Sequence, residues 1–378
     1  MRKKLLIEGW RYINHSYALV NQFQIKELLK NKNLDISFFD TPYFKKEWNK
    51  EDNHSGFNNS DFLDNLKKPS KNLSYDLIYR ISYPLNLDNG NANQIFIYGT
   101  SEFQNLDGIL DKKTITNYKK NKKKIKFITP SNWSKKGFLS FGFPENDIFV
   151  IPNGVDQKVF QPISKIKKEE LRKKFNFSNH NFVFLNLGAM TWNKGIDILL
   201  SAFSIINKKF PHTKLILKDQ SNLYNLSVKN LIQTFIKKNP STNRKMFANI
   251  IMLSKNLSLN DLNLLYGLSD AYVAPYRAEG FNLPPLEAAA SGLPVILTSK
   301  GSTDDYYRNT FAIQIDSKLM QNKNNTYLEP KIESVVRAMT ILIEDKFNNF
   351  NLKETLNFIE KDFSWISVVK KMSKIMDF

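Results

Sequence analysis

Short apolar runs alternate with helix-like segments along nearly the whole chain, and this alternation restricts the possible folds more than any other feature. A strand, a helix and a second strand in succession form the unit from which parallel sheets are built. The alternation therefore predicts an α/β protein. The predicted strands cover residues 4–7, 35–39, 76–80, 94–98, 125–129 and 148–151 in the first half, and 182–187, 214–217, 250–253, 271–274, 295–297 and 311–315 in the second.

Two domains of this kind are predicted. With 378 residues the chain exceeds what one ordinary core accommodates, and its 42% hydrophobic residues suffice for two cores. A sharp turn at Pro152-Asn-Gly154 and a charged helix at 165–174 separate two strand-rich halves. We therefore expect two doubly wound Rossmann-like domains that face each other across an interdomain cleft, with the link near 153–165. Further helices are predicted at 16–30, 259–268, 331–345 and 364–376, and residues 45–75 are expected to hold little fixed structure.

The net charge of +19 is compatible with an anionic partner, but it favours nucleic acid only weakly. Eight of the 55 basic residues are arginines, which bind phosphates and bases better than lysines do, and the positive surplus is spread along the chain. The chain has no cysteine, and no apolar run approaches the ~20 residues of a membrane span. We expect a cytoplasmic protein, and we rank nucleic-acid binding last among the alternatives for its function.

The segment from Glu279 to Val295 contains the clearest candidate for a binding site. Its sequence, Glu279-Gly-Phe-Asn-Leu-Pro-Pro-Leu-Glu287 and then Ala288-Ala-Ala-Ser-Gly-Leu-Pro-Val295, predicts a strand end, a loop hinged at Gly280, a helix with two prolines in its first turn, and a new strand. Such a loop lies at the carboxyl edge of a parallel sheet, where ligands bind. The backbone amides that would suit a phosphate, at the positive end of the helix dipole, are those of Phe281, Asn282 and Leu283.

Other nucleotide and metal motifs are missing from the sequence. There is no G-x-G fingerprint, no G-x-x-x-x-G-K-[ST] loop and no D-x-D motif, and the four histidines lack metal-ligand spacing. The adjacent pair Asp304-Asp305 is better explained as a helix cap than as a metal site. The sequence therefore predicts neither a metal nor a cofactor.

The segment 279–295 closely resembles the donor-site motif of the retaining GT-B glycosyltransferases of glycosyltransferase family 4. Further resemblances follow in the family's order over residues 125–376, whereas residues 1–124 match poorly. They are Thr129-Pro-Ser-Asn-Trp-Ser134, Val150-Ile-Pro-Asn-Gly-Val-Asp156, Leu187-Gly-Ala-Met-Thr-Trp-Asn-Lys-Gly195, and Phe363-Ser-Trp365. The last of these resembles the entry to a terminal helix that returns to the first domain. The resemblance thus implies an acceptor-side domain of residues 1–160 plus 363–378, and a nucleotide-sugar-binding domain of residues 161–362.

The resemblance assigns roles to three charged residues of the second domain. Glu287 would accept the two hydroxyls of a nucleotide ribose; the simpler alternative is a glutamate favoured in a first helical turn. Glu279 would lie beside the transferred sugar, where it either attacks C1 or only stabilises positive charge; the alternative is a solvated loop charge. Lys194 would neutralise the departing diphosphate, and otherwise it is a surface lysine.

The chain departs from the family pattern at Ala189. Most relatives have an arginine there, five residues before the lysine that corresponds to Lys194, and one cation compensates a departing diphosphate poorly. Lys218, at the end of the next strand, is expected either to replace this arginine or to be an exposed lysine. Ser254 to Leu257 align with a loop that brackets the nucleobase, without selecting the base.

The first domain departs further from the family. The histidine that relatives have after a later strand is absent from Tyr98-Gly-Thr-Ser-Glu102. His15, near a helix start, is expected to contact donor phosphate or acceptor hydroxyl, or else to cap and pack its helix; Glu102 is a weaker candidate on the acceptor side. The lysine-rich residues 112–126 are expected to form a solvated helix face or, alternatively, to lie on anionic lipid at the inner face of the membrane.

Together these features predict a metal-independent, retaining glycosyltransferase. It would move a sugar from a nucleoside diphosphate to a hydroxyl of a glycan, lipid-linked or small-molecule acceptor, in cell-surface polysaccharide or glycolipid synthesis. Two alternatives remain open: a nucleotide-sugar epimerase with the same fold, and a relative that binds the sugar nucleotide without turnover.

Overall fold

Two compact units make up the chain. The computed structural model describes residues 2–50, 56–57, 61–70, 73–107, 109–110, 112–122 and 124–378. The first unit consists of Met1–Gly154, Lys323–Asn325 and Asp362–Phe378, and the second of Val155–Asn322 and Thr326–Lys361. The sequence-based boundaries fall after residues 160 and 362.

A six-stranded parallel sheet forms the centre of the first unit. The strand order is β2-β1-β3-β4-β5-β6, so β2 and β3 lie on opposite sides of β1 and the order reverses between β1 and β3. The strands are β1 (Lys3–Gly9), β2 (Leu34–Asp40), β3 (Tyr75–Ile81), β4 (Ala92–Tyr98), β5 (Ile125–Thr129) and β6 (Ile148–Val150). The helices of this half are α1 (Ser16–Leu28), α2 (Asp61–Asp64), α3 (Lys112–Asn121) and α4 (Asn132–Ser140).

The second unit is built on another six-stranded parallel sheet. Its order is β12-β11-β10-β7-β8-β9, so the reversal falls between β7 and β10. The strands are β7 (Phe182–Leu187), β8 (Thr213–Lys218), β9 (Ile250–Leu253), β10 (Ala271–Ala274), β11 (Val295–Thr298) and β12 (Ala312–Ile315). The helices are α5 (Lys165–Lys174), α6 (Ile196–Lys209), α7 (Ser221–Tyr224), α8 (Val228–Lys238), α9 (Leu259–Leu268), α10 (Leu283–Ala290), α11 (Ile332–Ile343) and most of α12 (Leu352–Phe363), whereas the last helix of the chain, α13 (Trp365–Met376), belongs to the first unit.

The central strands of the second sheet are buried along their whole length. Every residue of β10 and β11 is buried, as expected for parallel strands covered by helices on both faces. Their continuous apolar sequences therefore reflect burial on two sides. The two parallel six-stranded sheets confirm the predicted α/β class.

Several elements were not predicted from the sequence, among them the helices α4, α6, α7 and α8. Strands β13 (Ser317–Asn322) and β14 (Asn325–Pro330) form a separate two-stranded sheet after β12, and α12 precedes the terminal helix. The terminal helix α13 packs on α1 in the first unit, where the ring of Trp365 stacks on that of Phe23 at 5.2 Å. No helix in the described part of the chain combines the length and the apolar character needed to cross a membrane.

Candidate functional site

The carboxyl ends of β7 and β10 mark the place where the strand order of the second sheet reverses. At such a point the two connections leave toward opposite faces of the sheet and open a crevice, which is where open α/β sheets bind ligands. The loop after β7 leads to Lys194, and the loop after β10 leads to Glu279. Two site residues predicted from the sequence therefore lie at this point.

Lys194 and Glu279 form an ion pair in this crevice. The side chain of Glu279 is 6% exposed and that of Lys194 is 23% exposed. Because both charges are largely withdrawn from water, each depends on the other for compensation. Glu279 is thus not a solvated loop charge.

The loop after β7 has a backbone that carries Lys194 close to the sheet. Gly188 has φ of +142°, a conformation that favours glycine, and a Cβ atom there would lie 3.6 Å from Cε of Lys194. The amide of Gly188 donates to the carbonyl of Lys218 at 3.0 Å. The lysine side chain therefore lies over this glycine, next to the end of β8.

Asn193 and Arg277 fasten the two loops together. The carbonyl of Asn193 accepts the amide of Arg277 at 2.7 Å, and the Asn193 side-chain amide donates to the carbonyl of Ala278 at 2.9 Å. The buried guanidinium of Arg277 donates to the carbonyl of Trp192 at 3.0 Å and lies 4.7 Å from the centre of its ring. These contacts fix the backbone on either side of the Lys194–Glu279 pair.

Two carboxylates compensate the charge of Arg277. Asp197 accepts two hydrogen bonds from the guanidinium, both at 2.8 Å, and Glu329 accepts two at 2.8 and 3.0 Å. Paired, bidentate contacts of this kind hold an arginine in one orientation. Arg277 is therefore a structural anchor beside the site.

The turn that begins α10 is rigid. Asn282 has φ of +69°, and its carbonyl accepts the hydroxyl of Tyr306 at 2.7 Å. The ring of Phe281 packs on Tyr306 with centroids 5.2 Å apart, and Gly280 is also buried, whereas Leu283 is partly exposed. α10 then ends at Ala290, and Gly292, with φ of +88°, follows in the left-handed conformation common after helices. Phosphate binding by these amides stays a prediction.

Glu287 lies one turn into α10 and is partly buried. Its Oε2 accepts the hydroxyl of Tyr266 at 2.8 Å. Burial raises the pKa of Glu287 to about 7, although the hydrogen bond from Tyr266 acts in the opposite direction. Burial also raises the pKa values of Tyr272 and Tyr306, and the charges of Glu279 and Glu287 both add to these rises. Both glutamates therefore lie within electrostatic reach of the same two phenols.

Lys218 is buried at the end of β8, so the expectation of an exposed lysine is wrong. It is 7% exposed, and its Nζ donates to the carbonyl of Asp219. Burial lowers the pKa of Lys218, with the charge of Asp219 working against this shift. Because a buried ammonium is costly, Lys218 is a cation that would gain from an anionic ligand.

Asp219 organises the neighbouring loops. It is fully buried and accepts the Ser254 hydroxyl at 2.8 Å and the amides of Ser221 and Val228 at 3.1 and 2.9 Å. Ser254 is thus tied to the end of β8, whereas Leu257, farther along the same loop, is partly exposed.

In the first unit, His15 precedes α1, in the loop that follows β1. Its Nδ1 accepts the amide of Tyr17 at 3.1 Å, and its ring packs against those of Trp10 and Tyr17, with centroids 5.1 and 5.5 Å away. Burial lowers the pKa of His15 to about 4, so the imidazole is neutral near pH 7. These contacts are those of the cap and packing alternative. A contact of His15 with a ligand stays a prediction.

The remaining sequence candidates have simpler surroundings. Glu102 is exposed, and its carbonyl accepts the indole N–H of Trp133 at 2.7 Å. Asp304 accepts hydrogen bonds from the amide of Lys300 and from the side chain of Gln314. In the described ranges, no group of three or more His, Cys, Asp or Glu residues could hold a metal ion.

The lysine-rich residues 112–126 are described only in part. Residues 112–121 form α3, but Lys123 lies outside the described residues. Contact of this segment with anionic lipid stays a prediction.

Four residues beside the site were not singled out from the sequence. Arg277 and Asp219 each follow a strand within three residues, so the rule that ligand-side residues follow parallel strands would have found them. Tyr266, in a helix, and Tyr306, after a helical turn, carry no such signal. Their hydroxyls contact the site only because tertiary packing brings them there.

Comparisons with known proteins agree with this architecture. Residues 167–360 match the profile of the family described as Glycosyl transferases group 1. The chain is 28% identical over 233 residues to UDP-Gal:alpha-D-GlcNAc-diphosphoundecaprenol alpha-1,3-galactosyltransferase from Escherichia coli. That match covers 61% of this chain and about half, 53%, of the relative's length.

Two solved structures share the fold over the whole chain. The glycosyltransferase from Rickettsia africae superposes with a TM-score of 0.70 at 14% identity, covering 100% of this chain and 98% of that one. Anabaena Alr3699/HepE, solved in complex with UDP and glucose, superposes with a TM-score of 0.67 at 15% identity, covering all of both chains. At such identities the likeness establishes the fold alone, which is GT-B. Because the family profile spans just over half of its residues, this chain belongs to the glycosyl transferases group 1 family.

Proposed function

We propose that this protein is a retaining glycosyltransferase of family 4 that moves a sugar from a nucleoside diphosphate to an acceptor hydroxyl without a metal ion. The observation that carries this proposal is the largely buried Lys194–Glu279 pair at the point where the second sheet reverses. Membership of the family supports sugar transfer. The pair supports the mechanism, because Lys194 offers a positive charge for the leaving diphosphate and Glu279 a negative charge for the sugar.

Lys194 would stabilise the departing diphosphate. Negative charge grows on the leaving phosphate as its bond to the sugar breaks, and a fixed cation in a site shielded from water stabilises such charge strongly. An ammonium has three donors, so Lys194 can keep its bond to Glu279 and still donate to a phosphate oxygen. No divalent metal is then required to neutralise the leaving group.

Glu279 would act on the sugar itself. Positive charge develops at C1 as the diphosphate leaves, and a carboxylate on a side chain that is 6% exposed can face it with little screening by water. Glu279 either stabilises this charge or attacks C1 to give a covalent intermediate. The covalent route retains the anomeric configuration by two successive inversions, and the charge-stabilised route retains it when the acceptor oxygen attacks from the face that the diphosphate leaves.

The remaining donor contacts would come from α10 and from the β8 and β9 ends. Glu287 would accept the ribose hydroxyls, and the amides of residues 280–283 would contact phosphate. Ser254 and Leu257 would lie beside the base. UDP-sugars are the first donors to test, because the Anabaena protein was solved with UDP and the name of the E. coli relative specifies UDP-Gal.

Lys218 would supply the second cation that Ala189 does not. Its carbonyl accepts the amide of Gly188, the residue over which Lys194 lies, so both lysines belong to neighbouring loops of one sheet edge. The negative charge of a bound diphosphate would also compensate the buried ammonium of Lys218.

For the acceptor, we propose a chemical class and not a single compound. The name of the E. coli relative specifies a lipid-linked sugar acceptor, which supports a glycan or lipid-linked acceptor here. His15 and Glu102 would lie on this side, and the protein would work in the cytoplasm, with contact between residues 112–126 and the membrane as the alternative to a solvated helix face. Sedimentation with anionic vesicles at physiological salt tests that contact.

The test of function is a donor panel. UDP-glucose, UDP-galactose, UDP-N-acetylglucosamine and GDP-mannose are incubated with and without sugar and lipid-linked acceptors, and nucleoside diphosphate and product are measured. We expect acceptor-dependent release, a product of retained configuration, and no loss of activity in EDTA. An epimer formed without acceptor would instead indicate the epimerase. Donor binding without turnover over the whole panel would indicate the silent relative.

A further inference from the structure

The hydrogen bond from Tyr266 to Glu287 is a contact to which neither the family nor the motif assigns a role. Tyr266 lies on α9 and is fully buried, and its hydroxyl donates to Oε2 of Glu287 at 2.8 Å. Glu287 is a candidate donor residue, whereas Tyr266 does not lie in any loop of the site. The contact therefore connects the site to a helix behind it.

Tyr266 is held in one position by its surroundings. Its ring makes an edge contact with Phe160 at 5.9 Å and a tilted contact with Tyr272 at 6.0 Å. One turn earlier on the same face of α9, Asn263 accepts the hydroxyl of Ser291, which is itself one turn beyond Glu287. Two side chains of α9 thus bind Glu287 on α10 and Ser291 directly after it, and the orientation of the Tyr266 hydroxyl is fixed by helix packing.

Among the residues that the structure describes, Tyr266 is the one that donates a hydrogen bond to the carboxylate of Glu287. The charge of Glu287 also acts on Tyr272 of β10 and on Tyr306, two phenols that the carboxylate of Glu279 in the loop after β10 influences as well. Burial raises the pKa of Glu287 to about 7, and the Tyr266 hydroxyl opposes this rise. Near neutral pH the balance between carboxylic acid and carboxylate at this position therefore depends on Tyr266.

We propose that Tyr266 is a positioning residue for the nucleotide: its hydroxyl orients Glu287 and keeps it ionised, so that both ribose hydroxyls can donate to it. This inference rests on the proposed donor role of Glu287. Two hydroxyl donors need an acceptor without a proton, and a protonated carboxyl would offer a donor of its own to one of them. Tyr266 would then set the pH range in which the ribose is recognised.

The contribution of the ribose 2′-hydroxyl to binding is measured by comparing nucleotides that differ only in that hydroxyl. Dissociation constants of UDP and 2′-deoxy-UDP, and of GDP and 2′-deoxy-GDP, are measured by calorimetry at pH 6, 7 and 8.5. For the nucleotide that binds, we expect the wild-type protein to prefer the ribose form by about 10-fold at pH 8.5, as for a hydrogen bond to a charged group. The preference should shrink toward pH 6, because protonation of Glu287 removes the acceptor.

Tyr266→Phe should shift this pH dependence upward. The loss of one hydrogen bond to the carboxylate is expected to raise the pKa of Glu287 by about one unit, which leaves roughly fivefold less carboxylate at pH 7. The preference for ribose should fall at pH 7 and recover toward pH 8.5, and donor KM should rise while kcat changes little. Tyr272→Phe is the matched control, because that hydroxyl donates to the carbonyl of Leu187 at 3.2 Å and not to a carboxylate.

The outcomes separate this inference from the proposed function. If Glu287→Gln loses the preference for ribose but Tyr266→Phe keeps the wild-type pH profile, the role of Tyr266 is refuted and that of Glu287 stands. If neither the wild-type protein nor Glu287→Gln distinguishes the paired nucleotides, the ribose role itself is refuted. The wild-type pH series needs no variant, and a preference that is flat from pH 6 to 8.5 overturns the inference even if Tyr266→Phe does not fold.

Discussion

Several charged side chains of the second unit are buried wholly or in large part, among them Glu279, Lys218 and Arg277. Withdrawing a charge from water costs free energy of folding unless partners compensate it. Arg277 has two carboxylates, whereas Lys218 has mainly a carbonyl and Glu287 a single phenol. The less well compensated residues are those to which we assign a ligand, as is common where function and stability compete.

Glu287 should make the protein less stable as the pH rises. Its pKa in the folded protein is about 7, against an ordinary value of 4.5, so the folded state retains a proton that the unfolded state releases between these values. The protonated carboxyl of Glu287 therefore stabilises the folded state fully below pH 4.5, and this stabilisation is lost as the pH rises through 7. Glu287→Gln should be more stable than the wild-type protein at pH 8, by at most about 3 kcal/mol, with a smaller difference at pH 5. Urea denaturation at both values measures this; equal differences at both pH values would contradict the assignment.

Lys218→Met should separate stability from activity. Methionine fills a similar volume without a buried charge, so we expect unfolding in urea to change by less than about 1 kcal/mol, or stability to rise. Turnover should fall by roughly 10- to 100-fold if Lys218 stabilises the leaving diphosphate. Lys237→Met, in the exposed last turn of α8, is the control and should match the wild-type protein in both respects. Unchanged turnover in Lys218→Met would show that Lys218 does not replace the arginine that most relatives have at the position of Ala189.

At the scale of elements, the loops after β7 and β10 act as one assembly. Arg277 joins them, because it bonds Trp192 in one loop and lies two residues before Glu279 in the other. The hydrogen bond from Tyr306 to the carbonyl of Asn282, a residue in the left-handed conformation, fixes the turn that follows. The geometry of the Lys194–Glu279 pair is therefore set by contacts between elements and not by either loop alone.

Arg277→Met should loosen this assembly. Removal of the guanidinium leaves Asp197 and Glu329 without a partner, but their side chains are 50% and 42% exposed and can be hydrated. We therefore expect a loss of about 2–3 kcal/mol in urea denaturation, less than for a fully buried pair. Arg337→Met breaks an exposed pair with Asp316 and should cost less than about 0.5 kcal/mol. Similar losses in the two variants would contradict the anchoring role of Arg277.

Most elements could be predicted from the sequence, and the exceptions have physical causes. The strands of both sheets are short apolar runs, and α5 and α9 were predicted with the observed bounds. The hairpin β13–β14 was not predicted because most of its residues are exposed or partly exposed, so neither strand shows an apolar face. α12 does carry an apolar face, with Ile359 and Phe363 one turn apart and buried, and that periodicity could have revealed it.

At the scale of the whole molecule, each unit is a parallel sheet whose strand order reverses once. In the first unit the reversal lies between β1 and β3, near the loop that carries His15; in the second it lies between β7 and β10. The second reversal could be located from the sequence, because its residues follow a family motif with fixed spacing. The first could not be assigned a chemistry, since residues 1–124 match the family poorly and the contacts of this loop arise from packing among Trp10, His15 and Tyr17.

The central claim is that Lys194 and Glu279 form the reaction centre for sugar transfer. It is tested most directly by the turnover number for the best nucleotide-sugar donor in the wild-type protein, Lys194→Met, Glu279→Gln and the control Lys237→Met, with thermal melts to establish that each is folded. We predict that both site variants lose at least about 100-fold in kcat and that the control loses nothing. A folded Lys194→Met or Glu279→Gln variant that turns over as fast as the wild-type protein would contradict the account.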